Sequence, residues 1–127
     1  MMTVVTHTTL RQGAEPEWDA AMRERLANAT GRPGFVRSQL LMPLEGLDRR
    51  VIVGTWATRA HWEAWHNDET FLASRQRLEG LQDGPGETTW YEVVEDQPPA
   101  GVGRAVDAAV ARVRSFAKGI AGRSAGG

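Results

Sequence analysis

Short hydrophobic runs alternate along the chain with segments whose apolar residues recur at helical spacing. The first run, TVVTHTTL over residues 3–10, is rich in β-branched residues and lacks glycine and proline, which is typical of a strand. Alternation along this strand places Val5, His7 and Thr9 on one face. A helical segment begins at Pro16, and its apolar stripe consists of Trp18, Met22, Leu26 and Ala29. The chain is therefore predicted to begin with a strand and an amphipathic helix.

Three more hydrophobic runs predict strands, and the segment between the last two predicts a helix in two pieces. The predicted strands are Phe35–Met42, Arg50–Trp56 and Thr88–Val94, and the two helical pieces are Arg59–His66 and Thr70–Glu79. Thr58 is expected to cap the first helical piece, and Asn67 or Asp68 the second. The order β-α-β-β-α-β indicates a ferredoxin-like α+β fold, in which a four-stranded antiparallel sheet carries both helices on one face.

This arrangement is complete before a pair of prolines that follows residue 97. We therefore expect one domain over residues 1–97 and an appended segment over residues 98–127. Apolar residues keep helical spacing from Val102 to Ile120. The appended segment is thus predicted to be an amphipathic helix followed by a flexible, glycine-rich end.

Both faces of the predicted strands carry bulky apolar side chains. Phe35 and Leu41 are expected on one face and Leu40 on the other, and Trp90 and Tyr91 likewise point to opposite faces. The helices cover only one face, and a bare second face would expose more apolar surface than a monomer usually tolerates. A second copy of the same sheet is the simplest cover, which predicts a homodimer. The alternative cover is the C-terminal helix, folded back.

Composition narrows the class of protein. The 127 residues include no cysteine, which excludes disulfides, cysteine-ligated metals and thiol catalysis. The N-terminus has no signal-peptide pattern, and no window approaches the ~20 apolar residues that span a bilayer. Residues 1–98 hold ten basic and fifteen acidic side chains, against five and one in residues 99–127. We therefore expect a cytoplasmic protein with no membrane partner and no nucleic-acid surface on its body.

Tryptophan is the first candidate for chemistry. Three of the five tryptophans lie between Trp56 and Trp65. Trp62 and Trp65 are three residues apart, so they lie on one side of a helix. Such a pair either packs in the core or lines a pocket in which a flat aromatic ligand stacks. The pattern leaves both interpretations open.

Histidine is the second candidate. His7, in the middle of the first strand, is either a hydrogen-bonded structural residue or a general base. His61 and His66 are five residues apart, whereas two zinc ligands on one helical face are four apart. No metal site is therefore predicted. Motifs of hydrolases, kinases and dinucleotide-binding enzymes are also missing from the sequence.

Four segments carry a family resemblance. They are VVTHTTLRQGAEPEW (Val4–Trp18), PGFVRSQLLMPLEG (Pro33–Gly46), VIVGTWATRAHWEAW (Val51–Trp65) and FLASR (Phe71–Arg75). Their most specific marks are Pro-Gly-Phe before a strand that ends in Leu-Leu, and a strand-closing tryptophan followed nine positions later by another. Over about residues 3–96 the chain resembles the antibiotic biosynthesis monooxygenase family. The resemblance implies a dimeric α+β barrel.

That family includes cofactor-free, quinone-forming oxygenases, heme-degrading enzymes and members with no known activity, so fold alone does not give the reaction. In the heme-degrading branch, the resemblance puts an asparagine at or beside His7, the tryptophan at Trp65 and the iron-binding histidine at Ser74. Serine does not bind heme iron as histidine does. This departure counts against heme degradation, unless His66 or His7 replaces the ligand.

In the cofactor-free branch the substrate is a polycyclic aromatic phenol whose anion passes an electron to dioxygen. The protein supplies a dry aromatic pocket and a base. The resemblance therefore implies a cofactor-independent monooxygenase of an aromatic, polyketide-like compound, with His7 and Trp65 as catalytic residues. Heme degradation, and non-catalytic binding of a small molecule by a dimer, are the alternatives. The residues expected to contact the substrate are Trp62, His66, Phe71, Ser74 and Tyr91.

Overall fold

The computed structural model describes residues 1–97 of the chain. Within these residues four strands and three helices follow one another: β1 (Met2–Thr9), α1 (Glu15–Ala29), β2 (Phe35–Leu41), β3 (Arg49–Trp56), α2 (Arg59–His66), α3 (Glu69–Gly80) and β4 (Glu87–Glu92). Each element predicted in this range is present, with ends that differ by one or two residues. None of these three helices has the length and apolar character needed to cross a bilayer. The predicted C-terminal helix, in residues 98–127, lies outside the described range.

The four strands form one antiparallel sheet in the order β2-β3-β1-β4. Val4 in β1 lies opposite Gly54 of β3 on one side and Trp90 of β4 on the other. Apolar residues of α1 and α3 pack with Leu40 and Ile52 on one face of this sheet. The predicted ferredoxin-like α+β fold is therefore confirmed.

Alternation along the strands separates two faces. The face covered by the helices carries the even-numbered residues of β1 and β3, among them Val4 and Trp56. The other face, which we call the open face, carries Val5, His7, Leu41, Val51, Val53 and Tyr91. His7 is exposed there, and Tyr91 is 53% exposed.

A β-bulge at the start of β2 changes this alternation. The pairing register shifts between Phe35 and Arg37, because a bulge inserts one extra residue into the strand. Phe35 therefore pairs with Trp56 on the covered face, whereas Leu41 pairs with Val51 on the open face. The prediction that Phe35 and Leu41 share one face is wrong for this reason.

Side-chain caps divide the second helical segment into α2 and α3. The Thr58 hydroxyl accepts a hydrogen bond from the His61 amide at the start of α2. The Asp68 carboxylate does the same for the Thr70 amide at the start of α3. Each cap satisfies an amide that has no partner within its own helix. The predicted break is thus confirmed, and it brings the end of α2 beside the start of α3.

The core consists of two clusters of buried side chains. One joins α1 to α3 and contains Leu10, Trp18, Ala21, Met22 and Leu78. The other joins the end of α1 to β3, α2 and α3 and contains Ala29, Trp56, Trp65 and Phe71. The helical stripe predicted from Trp18 to Ala29 is therefore the buried face of α1.

A charged pair fastens α1 to the sheet. Arg50 in β3 donates from Nε to Asp19 Oδ1 at 2.8 Å and from Nη2 to Asp19 Oδ2 at 3.0 Å. Nη1 of the same guanidinium donates to the Leu47 carbonyl at 2.7 Å. Arg50 is only 6% exposed, and a guanidinium is buried in proteins when its donors are satisfied in this way. The pair holds one end of α1 in a fixed position over β3.

Candidate functional site

A cleft of about 820 Å³ lies between the helices and the covered face of the sheet. Every strand and helix within residues 1–97 contributes to its lining. Six of the lining side chains are aromatic: Phe35, Trp56, Trp62, Trp65, Phe71 and Trp90. We call this space the aromatic cleft. Its walls combine these flat apolar surfaces with polar and charged side chains, as is typical of sites for small aromatic molecules.

The helix break positions the central residues of the aromatic cleft. Trp62, Trp65 and His66 follow one another at helical spacing, so all three lie on the same side of α2. Phe71 faces them from the first turn of α3, with its ring centroid 5.6 Å from that of Trp65 and 4.1 Å from that of His66. The gap between the two helices is thus lined on both sides by rings.

His66 is held between two aromatic rings. Its imidazole centroid lies 3.9 Å from that of Trp62 and 4.1 Å from that of Phe71. Nδ1 is 2.9 Å from the Trp62 carbonyl oxygen. A carbonyl only accepts, so Nδ1 carries the hydrogen and donates it. Nε2 is left with a lone pair and with no hydrogen-bond partner among residues 1–97.

Burial sets the charge of His66. Desolvation lowers the pKa of the imidazole from 6.5 to about 4, against the opposing effect of the hydrogen bond to the Trp62 carbonyl. The value of about 4 also includes smaller lowering effects from the positive charges of Arg25 and Arg75. His66 is therefore neutral at pH 7, with Nε2 ready to accept a proton or to bind a metal.

Trp65 has both of the roles that its spacing left open. The side chain is 5% exposed and belongs to a core cluster, yet it also lines the aromatic cleft. The Arg32 guanidinium lies over its ring, with Cζ 4.9 Å from the centroid. One part of the indole thus packs in the core, while the remainder forms cleft wall.

A guanidinium enters the aromatic cleft from α1. Arg25 Nε donates to Ser74 Oγ at 2.7 Å, and Arg25 Cζ lies 3.9 Å from the centroid of the Phe71 ring. Nη2 of Arg25 is shielded from solvent and has no hydrogen-bond partner within the described range. Burial lowers the pKa of Arg25 to about 10, with a further contribution from Arg75 that Glu79 opposes. Arg25 remains charged at pH 7.

Four of the residues predicted for the site are brought together in the aromatic cleft. Trp62, Trp65, His66 and Phe71 all line it. Helical spacing was the signal for Trp62 and Trp65, and the family resemblance was the signal for His66 and Phe71. The catalytic and binding roles predicted for them stay predictions.

Two predicted site residues lie elsewhere. His7 and Tyr91 are on the open face, because each occupies the strand position that alternates away from the helices. The expectation that His7 lies beside Trp65 in one pocket is therefore corrected, and the same holds for Tyr91 as a wall of that pocket. The neighbour of Tyr91, Trp90, points into the aromatic cleft instead and meets Trp62 edge-on at 5.7 Å.

Ser74 is also outside the lining of the aromatic cleft. Its hydroxyl donates to the Phe71 carbonyl at 2.7 Å and accepts from Arg25. Both functions of the hydroxyl are used, so Ser74 does not fit the role of an iron ligand. Ser74 was expected to contact the substrate, whereas in the structure its hydroxyl contacts Arg25. If heme is bound, the imidazole that faces the aromatic cleft with a free lone pair is His66.

Sequence reasoning missed Trp90 and Arg25. Trp90 is the even-numbered partner of Val4 across the sheet, and only the register reveals on which side it lies. Arg25 had a signal, because it is seven residues after Trp18 and three after Met22 and so falls on the apolar stripe of α1. A charged residue within such a stripe indicates a polar contact below the helix. No group of three or more histidine or acidic side chains suited to a metal ion occurs in residues 1–97.

Two comparisons of the sequence show which known proteins this chain is similar to. The family model for antibiotic biosynthesis monooxygenases matches residues 1–77. A mycobilin-producing heme oxygenase of Mycobacterium tuberculosis is 33% identical over 61 residues. That match covers 48% of this chain and 58% of the relative, so the chain spans little more than half of the relative's length.

Solved structures agree in fold. SnoaB, a cofactor-independent oxygenase from Streptomyces nogalater, has a TM-score of 0.69 and 23% identity, and the match covers 76% of this chain and 96% of SnoaB. A Nitrosomonas europaea protein assigned to the antibiotic biosynthesis monooxygenases has a TM-score of 0.71 at 17% identity, with 75% and 100% covered. At these identities the likeness establishes the fold, and the reaction has to be argued from the site.

Proposed function

Because the chain belongs to the antibiotic biosynthesis monooxygenase family, we propose that it oxygenates an aromatic, polyketide-like small molecule without a cofactor. The observation that carries this proposal is the aromatic cleft, whose lining combines six aromatic side chains with a neutral imidazole, that of His66, which has no partner for Nε2 within residues 1–97. A compound that provides the electrons itself needs only to be bound, deprotonated and exposed to dioxygen. Trp65 and His66 are the residues to which we assign the central roles.

The lining of the aromatic cleft favours a flat substrate with several rings. Trp62 and Trp90 meet edge-on, as do Trp65 and Phe71, so ring faces and ring edges both point into the space. Aromatic ligands gain from contacts of both kinds. A volume of about 820 Å³ lies within the range of small-molecule sites in general. These features support a polycyclic substrate over a small aliphatic one.

Deprotonation is the first chemical step that we propose. His66 Nε2 accepts the proton from an acidic C–H or O–H of the substrate, since Nδ1 is already committed to the Trp62 carbonyl. With a pKa of about 4, the imidazolium does not keep this proton at pH 7 and releases it to water. His66 thus acts as a relay and returns to its neutral form after each transfer.

Oxygenation then follows from the substrate anion. The anion passes one electron to dioxygen, and the resulting radical and superoxide combine to form a carbon–oxygen bond. When the reacting carbon is a methylene, loss of water gives a carbonyl: one oxygen atom enters the product and the other leaves as water. The four electrons that reduce dioxygen all come from the substrate. No external reductant is needed, which matches an assignment without cofactor.

Oxygen consumption with an anthrone substrate tests this proposal. We expect turnover by the full chain and loss of most of it in His66→Gln, since the amide cannot take a proton. His7→Gln is the matched control, because His7 lies on the open face. The assignment of the base is wrong if His7→Gln loses turnover and His66→Gln keeps it. Binding of anthrone with no turnover in the wild-type chain would instead identify a non-catalytic binding protein.

Heme degradation is a second candidate, favoured by the free Nε2 of His66 and by the heme oxygenase relative. In that reading His66 holds the iron, heme supplies the redox-active metal, and the porphyrin is the substrate. The full chain is titrated with hemin while the Soret band is followed. Since Ser74, at the family's ligand position, is bound to Arg25 and Phe71, we expect no sharp, stoichiometric shift. A shift that disappears in His66→Ala would establish the heme candidate.

We also propose that the protein works as a homodimer joined through the open face. Val5, Val51 and Val53 form an apolar centre on this face, with Leu41 and Tyr91 exposed beside it. A second copy would bury these side chains against the same residues of its own sheet. The aromatic clefts, on the covered faces, would then both remain accessible from outside the dimer.

A further inference from the structure

The charged side chains around the aromatic cleft are unbalanced. The ionisable groups of its lining are three guanidiniums, those of Arg11, Arg25 and Arg75, one carboxylate, that of Glu79, and the neutral imidazole of His66. Glu79 is already paired with Arg75, whose Nε lies 2.9 Å from Glu79 Oε1. The lining therefore carries an excess of positive charge, which favours an anionic ligand most where the charge is shielded from water, as at Arg25.

Arg25 is the cation with the fewest compensating contacts. Arg11 Nε donates to the Gln82 carbonyl on the surface, and Arg75 has its carboxylate. Within residues 1–97, Arg25 has the Ser74 hydroxyl, the face of the Phe71 ring and the electrostatic effect of Glu79, which is itself paired with Arg75. Its Nη2 is shielded from solvent and donates to no residue within 1–97. Such an unsatisfied buried donor is rare, and it shows that the protein itself leaves the Arg25 guanidinium short of acceptors.

The guanidinium is nevertheless held in position. Ser74 Oγ accepts from Arg25 Nε and donates to the Phe71 carbonyl, each at 2.7 Å. The Phe71 ring lies beneath Cζ, which restricts the plane of the guanidinium. A residue of α1 is thus oriented by two residues of α3, and the part of Arg25 that lines the aromatic cleft is left to meet a ligand.

We propose that the aromatic cleft binds its ligand through an anionic oxygen, carboxylate or phenolate, on the aromatic ring system, with Arg25 as the binding residue. Ser74 acts as a positioning residue that keeps the guanidinium turned toward that oxygen. This inference rests on the proposed function and narrows its substrate class to aromatic acids and acidic phenols. Burial is the main cause of the lowered pKa of Arg25, because it removes the guanidinium from water. A bound anion would compensate for that lost solvation.

Isothermal titration calorimetry with three matched probes tests the inference. The probes are 2-naphthoate, its neutral amide 2-naphthamide, and 2-naphthol. We expect the full chain to bind 2-naphthoate about ten-fold or more tightly than 2-naphthamide, with the preference shrinking as salt is added. Equal affinity for the two probes in the wild-type protein would overturn the inference, and this comparison needs no variant that might fail to fold.

Substitutions then identify the residue. Arg25→Gln should remove the preference for 2-naphthoate and leave 2-naphthamide binding unchanged, while Arg25→Lys should retain part of it. Arg23→Gln is the matched control, because it removes the same charge from an exposed position of α1 outside the cleft lining. A preference that survives in Arg25→Gln, or is lost equally in Arg23→Gln, would overturn the role of Arg25.

The positioning role of Ser74 has its own readout. Ser74→Ala should lower the preference for 2-naphthoate several-fold without changing 2-naphthamide binding, and Ser74→Thr, which keeps the hydroxyl, should restore it. A loss of affinity for both probes would mean that Ser74 is merely structural.

The two sources of anionic oxygen are distinguished by 2-naphthol. A phenolate site should lower the pKa of the bound phenol, which its absorbance reports. A carboxylate site should leave that pKa unchanged. Because none of the probes needs to react, an enzyme that shows the anion preference but consumes no oxygen would contradict the proposed function alone. Turnover that is indifferent to Arg25→Gln, together with equal binding of the probes, would contradict this inference alone.

Discussion

At the scale of single residues, the hydrogen bond between His66 Nδ1 and the Trp62 carbonyl decides how the imidazole can act. It fixes the tautomer and leaves the lone pair on Nε2 of a residue that lines the aromatic cleft. Two rings packed against the imidazole remove it from water. A histidine buried in this way stays neutral over the whole range in which most enzymes work. His66 should therefore give activity little dependence on pH between 5.5 and 8.

The titration of His66 is a direct prediction. Its pKa of about 4 in the folded chain lies below the ordinary value of 6.5, so between these pH values the unfolded chain binds a proton that the folded chain does not. The free energy of unfolding should therefore fall as pH is lowered through this window, by about 2–3 kcal/mol from this residue. Urea denaturation at several pH values measures it.

His66→Gln is the control for that measurement. The variant should lose this part of the pH dependence and keep the part that comes from carboxylates. The His66 imidazole resonances in NMR spectra should show no titration above about pH 5. A midpoint near 6.5 would contradict the assigned burial.

Two substitutions of Trp65 distinguish its role in core packing from a role in activity. Trp65→Ala should lower the free energy of unfolding by about 3–5 kcal/mol, because it opens a cavity in the core cluster. Trp65→Phe should keep the fold and lose most oxygen consumption, since the smaller ring no longer forms the cleft wall. Both are measured on the same preparations by denaturation and an oxygen electrode. Turnover close to wild type in Trp65→Phe would show that the indole is core only.

The sequence allowed some of these residues to be predicted and not others. Trp62 and Trp65 follow from helical spacing, because a helix places its residues on a cylinder irrespective of what packs against it, whereas His66 was named through the family resemblance. His7 and Tyr91 were assigned to the wrong face, since both strand faces are apolar and local alternation does not say which one meets the helices. The contact between Arg25 and Ser74 joins residues 49 apart, and no local pattern predicts such a pair.

At the scale of elements, the charged pair of Arg50 and Asp19 connects α1 to β3. Apolar spacing predicted α1 closely and a hydrophobic run predicted β3, whereas the bulge in β2 was the feature that periodicity did not anticipate. The position of α1 over the sheet matters because Arg25 lies on it. A pair with two parallel hydrogen bonds resists sliding of the helix along the strand.

Breaking this pair should cost considerable stability. We expect Arg50→Met to lower the free energy of unfolding by about 3–5 kcal/mol, because the Asp19 carboxylate loses its partner in a largely buried place. The double variant Arg50→Met with Asp19→Leu should recover most of that loss. Urea denaturation of the two single variants and the double variant gives the coupling energy. A loss below about 1 kcal/mol in Arg50→Met would show that solvent screens the pair.

At the scale of the whole molecule, we expect the open face of the sheet to govern assembly. The apolar centre formed by Val5, Val51 and Val53 lies in the two middle strands, flanked by both edge strands. The edges are where a sheet most readily recruits another strand, whereas an apolar centre favours packing of one sheet face on another. Face-to-face pairing of two copies is the assembly that this distribution supports.

The full chain should therefore have twice its 13.9 kDa mass in light scattering behind a sizing column. Val53→Lys should shift it toward the monomer, since a buried lysine would have no counter-charge in the apolar centre. Leu44→Lys is the matched control, because Leu44 is 96% exposed in the loop between β2 and β3. A stable monomer of the wild-type chain at low concentration would rule out the dimer.

Truncation distinguishes between the two alternatives for what covers the open face, which are a second copy of the sheet and the C-terminal segment. A chain ending at Gln97 should remain dimeric if a second copy covers the open face. If the segment after Gln97 covers it instead, the full chain should be monomeric and the truncated chain should aggregate. The same sizing experiment on both lengths gives the answer.

The placement of the tryptophans has a practical consequence. Four of the five line the aromatic cleft, and the remaining one, Trp18, is buried beneath α1. The intrinsic fluorescence of the protein therefore originates largely from the walls of the cleft. A polycyclic ligand that absorbs where tryptophan emits would quench that emission by energy transfer on binding. Unlabelled protein can thus report on its own occupancy, and a library of aromatic acids can be screened by emission alone.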